Sequence, residues 1–198
     1  VAADARFNLG LTYKRMNRDS DAVAAYQQVA HDYPDSELAS MARIRIGYIY
    51  EDAGDYTKAS QAYRDLAASD KGKLGAEAQY LVGDTLLEQK QSGEALLAYD
   101  AVGQNFPAET AWVVTAMAKS GELLESMGRD KDALERYERI VKLGGDPTWV
   151  AAAQKRMDIL RAHLGVPAAK ASGKPKTKAK AAAQPKSSGG DGAGEAQP

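Results

Sequence analysis

The chain has 198 residues, with 26 Lys and Arg against 27 Asp and Glu, and no cysteine. The absent thiols exclude disulfides and thiolate metal sites, and fit either an oxidising or a reducing compartment. No run approaches the roughly 20 apolar residues of a membrane-spanning helix.

In chain order, the first pattern is Ala5, Gly10, Ala22 and Tyr26, and it recurs as Ala42, Gly47, Ala59 and Tyr63. A third set is Ala78, Gly83, Ala95 and Tyr99, and a fourth is Ala116, Gly121, Ala133 and Tyr137. The glycines stand 37, 36 and 38 residues apart. Each set predicts two helices that approach closely where small residues face each other. Gly and the Ala twelve residues later are expected opposite one another, with the Tyr one turn further on, plugging the gap between repeats. The joining segments are Asn17-Arg18-Asp19, Ala53-Gly54-Asp55, Gln91-Ser92-Gly93 and Met127-Gly128-Arg129, short enough only for antiparallel hairpins. Repeat limits fall near 2–35, 36–71, 72–108 and 109–146. Ser36 and Thr110 are predicted N-caps for the helices after Pro34 and Pro107.

A ninth helix is expected over 147–164 as a terminal cap. Asp158 stands there in place of the recurring Gly, and Lys155, Arg156, Asp158 and Arg161 are expected on a polar outer face. Leu164-Gly165-Val166-Pro167 ends it. From residue 166 to 198 six lysines face only Asp191 and Glu195, a net of +4; the formal total of −1 therefore leaves −5 on the first 165 residues. With no aromatic residue and much Ala, Pro, Gly and Ser, this tail is expected to be disordered. It reads either as a solvated linker or as a weak contact for a polyanion. Val1 opens inside a helical pattern without an initiator Met, so the sequence reads as a piece of a longer chain.

No catalytic signature emerges. His31 and His163 lie on different repeats, so a shared metal site is not expected, and His31 reads as a helix-end dipole contact. No nucleotide-binding, serine-hydrolase or zinc-protease pattern is present. Gly72 and Gly75 follow no strand and read as loop glycines. The expectation is a protein that is not an enzyme and holds no cofactor or metal.

The residues Leu9-Gly10-x2-Tyr13, Ala22-x3-Tyr26 and Pro34 closely match the tetratricopeptide repeat pattern, as do Ile46-Gly47-x2-Tyr50 and Ala59-x3-Tyr63. Repeat three gives Val82-Gly83 and Pro107, and repeat four is weaker with Ser120-Gly121 and a late Pro147. The chain resembles that family. The resemblance implies an all-α, right-handed solenoid of four repeats, a capping helix and then the tail. The repeats exceed the family's usual 34 residues by about one helical turn at the start of each first helix. This variant, with Tyr33-Pro34-Asp35-Ser36 before Ala39 and Ala42, is similar to bacterial envelope members, of the Tol–Pal-associated and barrel-assembly lipoprotein types. That implies the periplasm or the periplasmic face of the outer membrane, with the cytoplasm as alternative.

Family members bind partners along a concave groove lined by first helices. By register the resemblance places Lys14 and Arg15, then Tyr48, Glu51 and Asp52, then Tyr80, Asp84, Leu87 and Glu88, then Glu122 and Glu125 in that groove. Phe7, Leu11, Ile44 and Ala118 join them, although Phe7, Ile44 and Tyr80 read equally as packing between repeats. The implied partner is another protein, a peptide or helix of basic or mixed charge. The groove positions hold no Lys and Asn clamp for an acidic chaperone terminus. The alternatives are a regulatory or anchoring module of a larger enzyme whose catalytic domain lies upstream of Val1, and a homo-oligomerisation module.

Overall fold

The computed structural model describes residues 2–166; the predicted tail lies outside them. Among the described residues there are nine helices and no strand. They are α1 (Ala2–Arg15), α2 (Asp19–Asp32), α3 (Glu37–Asp52), α4 (Tyr56–Ser69), α5 (Lys73–Glu88), α6 (Ser92–Asn105), α7 (Thr110–Ser126), α8 (Asp130–Leu143) and α9 (Pro147–Leu164). Each helix packs on the next. The first helices of successive repeats also touch, α1 with α3, α3 with α5 and α5 with α7, and no second helices meet to that degree. Curvature that draws first helices together puts them on the inner side of a solenoid.

The local signals act at the expected places, with two exceptions. Ser36 caps α3 by accepting the Ala39 amide at 3.1 Å, and Asp146 caps α9 by accepting the Thr148 amide at 2.7 Å. Thr110 is instead the first residue of α7, after Glu109, and no side chain caps that helix. The third hairpin turn lies over 89–91, because α6 already begins at Ser92. Its left-handed residue is Lys90, at φ 59°, where the other turns use Asn17, Gly54 and Gly128 at 56°, 72° and 70°. All four stand seven residues beyond the repeat glycine. In each, the next amide bonds back to the first helix, as Gln91 N–H does to the Leu86 carbonyl at 2.9 Å.

The recurring glycine has a different partner from the one its spacing suggests. A Cβ built on Gly10, Gly47, Gly83 or Gly121 would stand 2.6, 2.1, 2.4 or 2.8 Å from the ring of Tyr26, Tyr63, Tyr99 or Tyr137. The tyrosine therefore lies on bare backbone within its own repeat, and Tyr26 also shares a core cluster with Ala42, Ile46 and Ile49 of the next repeat. All four rings are at most 3% exposed, and Ala22, Ala59, Ala95 and Ala133 are fully buried beside them. Gly75, expected in a loop, lies inside α5, where a Cβ would meet the Asp70 carbonyl oxygen at 2.0 Å.

One core cluster runs from α3 to α9 and a smaller one lies under α1 to α3, with Tyr50 packed against both. In α9, Arg161 is not on the outer face: it is buried and pairs with Glu138 of α8 at 2.8 Å. Leu9 is exposed although Ile46 and Val82, at the same repeat position, are buried against the preceding second helix.

Two substitutions test this packing. Gly83→Ala drives a methyl into the Tyr99 ring and is expected to cost about 1–3 kcal/mol, whereas Gly93→Ala meets nothing within 4 Å and leaves stability equal or higher. Lys90→Gly removes the left-handed penalty of roughly 1 kcal/mol and is expected to raise the midpoint of urea unfolding.

Candidate partner-binding groove

The groove is built from the residues one, four and five positions after each repeat glycine, which a 3.6-residue period sets on one face of the first helix. Its organising contact is the phenol of the buried tyrosine. Tyr63 donates its hydroxyl to Glu51 at 3.0 Å, Tyr99 to Asp84 at 2.6 Å, and Tyr137 to Glu125 at 2.7 Å. Three of the predicted groove carboxylates are thus aimed by the ring beneath them. Tyr48 donates at 3.4 Å to Glu77, and its ring meets that of Tyr63 edge-on, 6.0 Å between centroids.

The other predicted residues divide by exposure. Lys14 reaches Asp52 at 2.8 Å and Asp19 at 3.2 Å, tying α1, α2 and α3 together, and Arg15 is exposed at the end of α1. Tyr80 is buried, stacked between Tyr99 at 5.5 Å and Trp112 at 5.4 Å, which removes it from the groove surface and makes it a packing residue. Phe7 and Ile44, at its repeat position, are buried too. Leu87 is half-buried against the core. Glu88 and Glu122 are exposed, and Glu122 lies 3.7 Å from Lys119. Glu125 is held by Tyr137 and by Arg156 of α9, whose Nε donates to it at 3.1 Å.

The resemblance places Glu77, with Phe7, Leu11 and Tyr48, where a chaperone-binding member carries its Lys and Asn clamp, without giving it a contact; it assigns Trp112 no place in this region. Glu77 lies six residues before Gly83, where Met41 and Thr115 stand in the neighbouring repeats, so no periodic signal marks it. Burial pushes the carboxyl pKa of Glu51, Glu77 and Asp84 upward, with Asp84, Asp52 and Glu88 adding to the effect at Glu51. The phenols of Tyr48, Tyr63 and Tyr99 are raised by burial and then by these carboxylates. No group of three or more His, Asp or Glu among the described residues could hold a metal ion. Carboxylates arranged in this way can accept hydrogen bonds and pair with cations.

Family models of the tetratricopeptide repeat match residues 4–36 and 44–109, together half of the chain. The chain belongs to the tetratricopeptide repeat proteins. No curated protein matches it. Among solved structures, a crystal structure of MamA aligns at 21% identity and a TM-score of 0.56, over 79% of this chain and 85% of that one. The PilF protein of Pseudomonas aeruginosa aligns at 22% identity and a TM-score of 0.56, over 83% of this chain and 69% of that one. A tetratricopeptide repeat protein from Parabacteroides merdae gives a TM-score of 0.60 at 13% identity, over 82% of this chain and 60% of that one. At these identities the likeness is one of fold. A tetratricopeptide repeat array is a protein–protein interaction module, and no helix among the described residues is long and apolar enough to cross a membrane.

The raised carboxyls give a stability signature. The folded chain takes up protons at Glu51, Glu77 and Asp84 at a higher pH than the unfolded chain, whose values are near 4.5 and 3.8. Stability from these groups therefore grows as pH falls from 7 through their folded pKa values. Asp32 and Asp55, lowered by their hydrogen bonds, oppose this only below about 3.8. The melting temperature is expected to be higher at pH 5 than at pH 7, and Glu51→Gln with Asp84→Asn should flatten the difference. A flat profile for the unmodified chain would contradict the burial of these groups.

Proposed function

We propose that this protein is a non-catalytic scaffold of a bacterial cell-envelope assembly, holding a peptide or helix of basic or mixed charge along its concave face. The observation that carries the reading is the inner surface of α3 and α5. There Glu51, Asp84 and Glu88 form no ion pair among the described residues and lie beside Tyr48 and Leu87. Carboxylates of one sign steer a cationic partner, and half-buried apolar side chains between them supply contacts that hold it. The extra turn at the start of α3, capped by Ser36, supports the envelope assignment through its resemblance to envelope members of the family. The periplasm or the periplasmic face of the outer membrane is the compartment we assign.

Site-specific photo-crosslinking in the intact bacterium tests both parts. A crosslinker at Leu87 is expected to capture a discrete partner in the periplasmic or outer-membrane fraction, and one at Leu97, 65% exposed on α6, is not. Glu88→Lys with Glu122→Lys, both at exposed positions, should abolish capture while leaving helicity unchanged. Equal capture from both positions, or capture indifferent to the charge reversals, would move the site away from the groove. Fractionation into the cytoplasm would remove the envelope assignment.

A further inference from the structure

The acidic face and the C-terminal end of α9 lie at the same edge of the solenoid. First helices run in one direction, so Asp52, Glu88 and the last-turn Glu122 and Glu125 mark the C-terminal ends of α3, α5 and α7. The helix α9 takes the place of a fifth first helix. Its Arg156 pairs with Glu125 of α7, and its His163 lies 2.6 Å from Asp130, the first residue of α8. The chain therefore leaves α9 beside the row of carboxylates. The segment beyond Val166 carries Lys170, Lys174, Lys176, Lys178, Lys180 and Lys186, with no acid before Asp191.

The length and charge of that segment both match the groove. With neighbouring helices 8–10 Å apart, α3 lies roughly 30 Å from α9. At about 3.3–3.6 Å per residue an extended chain spans roughly 26–29 Å by Lys174 and 46–50 Å by Lys180, enough to pass α7 and α5 and arrive at α3. Glu51, Glu77, Asp84 and Glu88 have no cationic partner within ion-pair distance among the described residues. Lys14 is already committed to Asp19 and Asp52 at the far end, and Arg156 to Glu125 at the near end. Lys119, Lys73 and Arg45 lie near enough to act on Asp84 and Glu77 through space. Of these three only Lys119 comes within ion-pair distance of a groove acid, Glu122 at 3.7 Å, so Glu51 and Glu88 are the acids of the middle of the groove left for a further cation.

We propose that the stretch Lys170–Lys186 occupies the concave face of α3, α5 and α7 in the same molecule and competes there with the external partner. The proposal rests on the groove reading given above. Tethering presents the lysines at an effective concentration on the order of millimolar, so even a weak, purely electrostatic contact is populated. A partner then has to displace the segment, which raises the threshold for binding and favours ligands that add apolar contacts at Leu87 and Tyr48 to their charge. The contact is salt-sensitive because the lysines meet the exposed Glu88 and Glu122 first.

The absence of cysteine permits a clean test in the full chain. A nitroxide on Ala182→Cys is expected to broaden the amide resonances of Asp52, Glu88 and Glu122 several-fold more than those of Lys58, Arg64 and Leu97 on second helices. Replacing Lys174, Lys176, Lys178 and Lys180 by Gln should remove the excess, as should about 0.5 M salt, where the screening length is a few ångströms. Broadening that is uniform, or unchanged by the four substitutions, overturns the proposal. A peptide of sequence 170–186 added to the unlabelled four-Gln chain separates the two readings. Shifts at Glu88 and Glu122 without any effect from the tethered label would sink the intramolecular contact and keep a cation-accepting groove. No effect in either experiment would sink both.

Discussion

A tyrosine ring laid on bare backbone is the contact on which this structure depends. In each repeat the second helix pushes its phenol across the helix pair onto a glycine of the first, and nothing larger than hydrogen fits beneath it. The contact sets the separation of the two helices and is fully desolvated. It also carries the hydroxyl through the seam, where it meets a carboxylate in repeats two, three and four. A buried phenol needs such a partner, so the packing that closes a repeat also orients an acidic side chain of its inner face.

The acids of the inner face consequently fall into two kinds. Glu51 and Asp84 belong partly to the fold: each accepts from a buried tyrosine, and their desolvation makes ionisation harder. Glu88 and Glu122 are exposed and accept from no buried tyrosine, and Glu122 lies 3.7 Å from Lys119. Repeat one departs from both kinds. Four residues beyond Gly10 stands Lys14 where α3 and α7 have Glu51 and Glu125, and it bridges to Asp52 and Asp19. The inner face is therefore polar in the directional sense, closed by a cation at its N-terminal end and by Arg156 at the other.

Stacking between repeats draws on a second set of contacts, made chiefly by each second helix against the first helix of the next repeat, and to a lesser degree by successive first helices and by ion pairs between later elements. Asp100 of α6 meets Arg136 of α8 at 2.8 Å, and Glu138 of α8 meets Arg161 of α9 at the same distance. The latter pair shows why α9 terminates the described array. Its buried face is completed by a charged residue that α8 satisfies, and Asp158, at the position where other first helices carry Gly, is exposed because no tyrosine lies on it.

The recurrence of Ala, Gly, Ala and Tyr at a period near 37 was enough to set the number of helix pairs and their antiparallel pairing, because helical periodicity and small-residue spacing dictate both, while the inner place of the first helices came from the family resemblance alone. The cap at Ser36 and the glycine stop at Gly165 were legible for the same reason: each acts within a few residues of itself. Beyond the reach of the sequence were contacts between positions with no fixed offset. Glycine met a ring sixteen residues on instead of the alanine twelve residues on, since side-chain length and direction decide which atoms meet. Lys90 took a left-handed turn because the hairpin's closing hydrogen bond outweighs the local preference for glycine. Tyr80 turned inward because Trp112 and Tyr99, from different helices, sandwich it. Arg161 turned inward because Glu138, 23 residues away, was there to receive it. Charge and periodicity are properties of the chain, but burial depends on which neighbours packing brings.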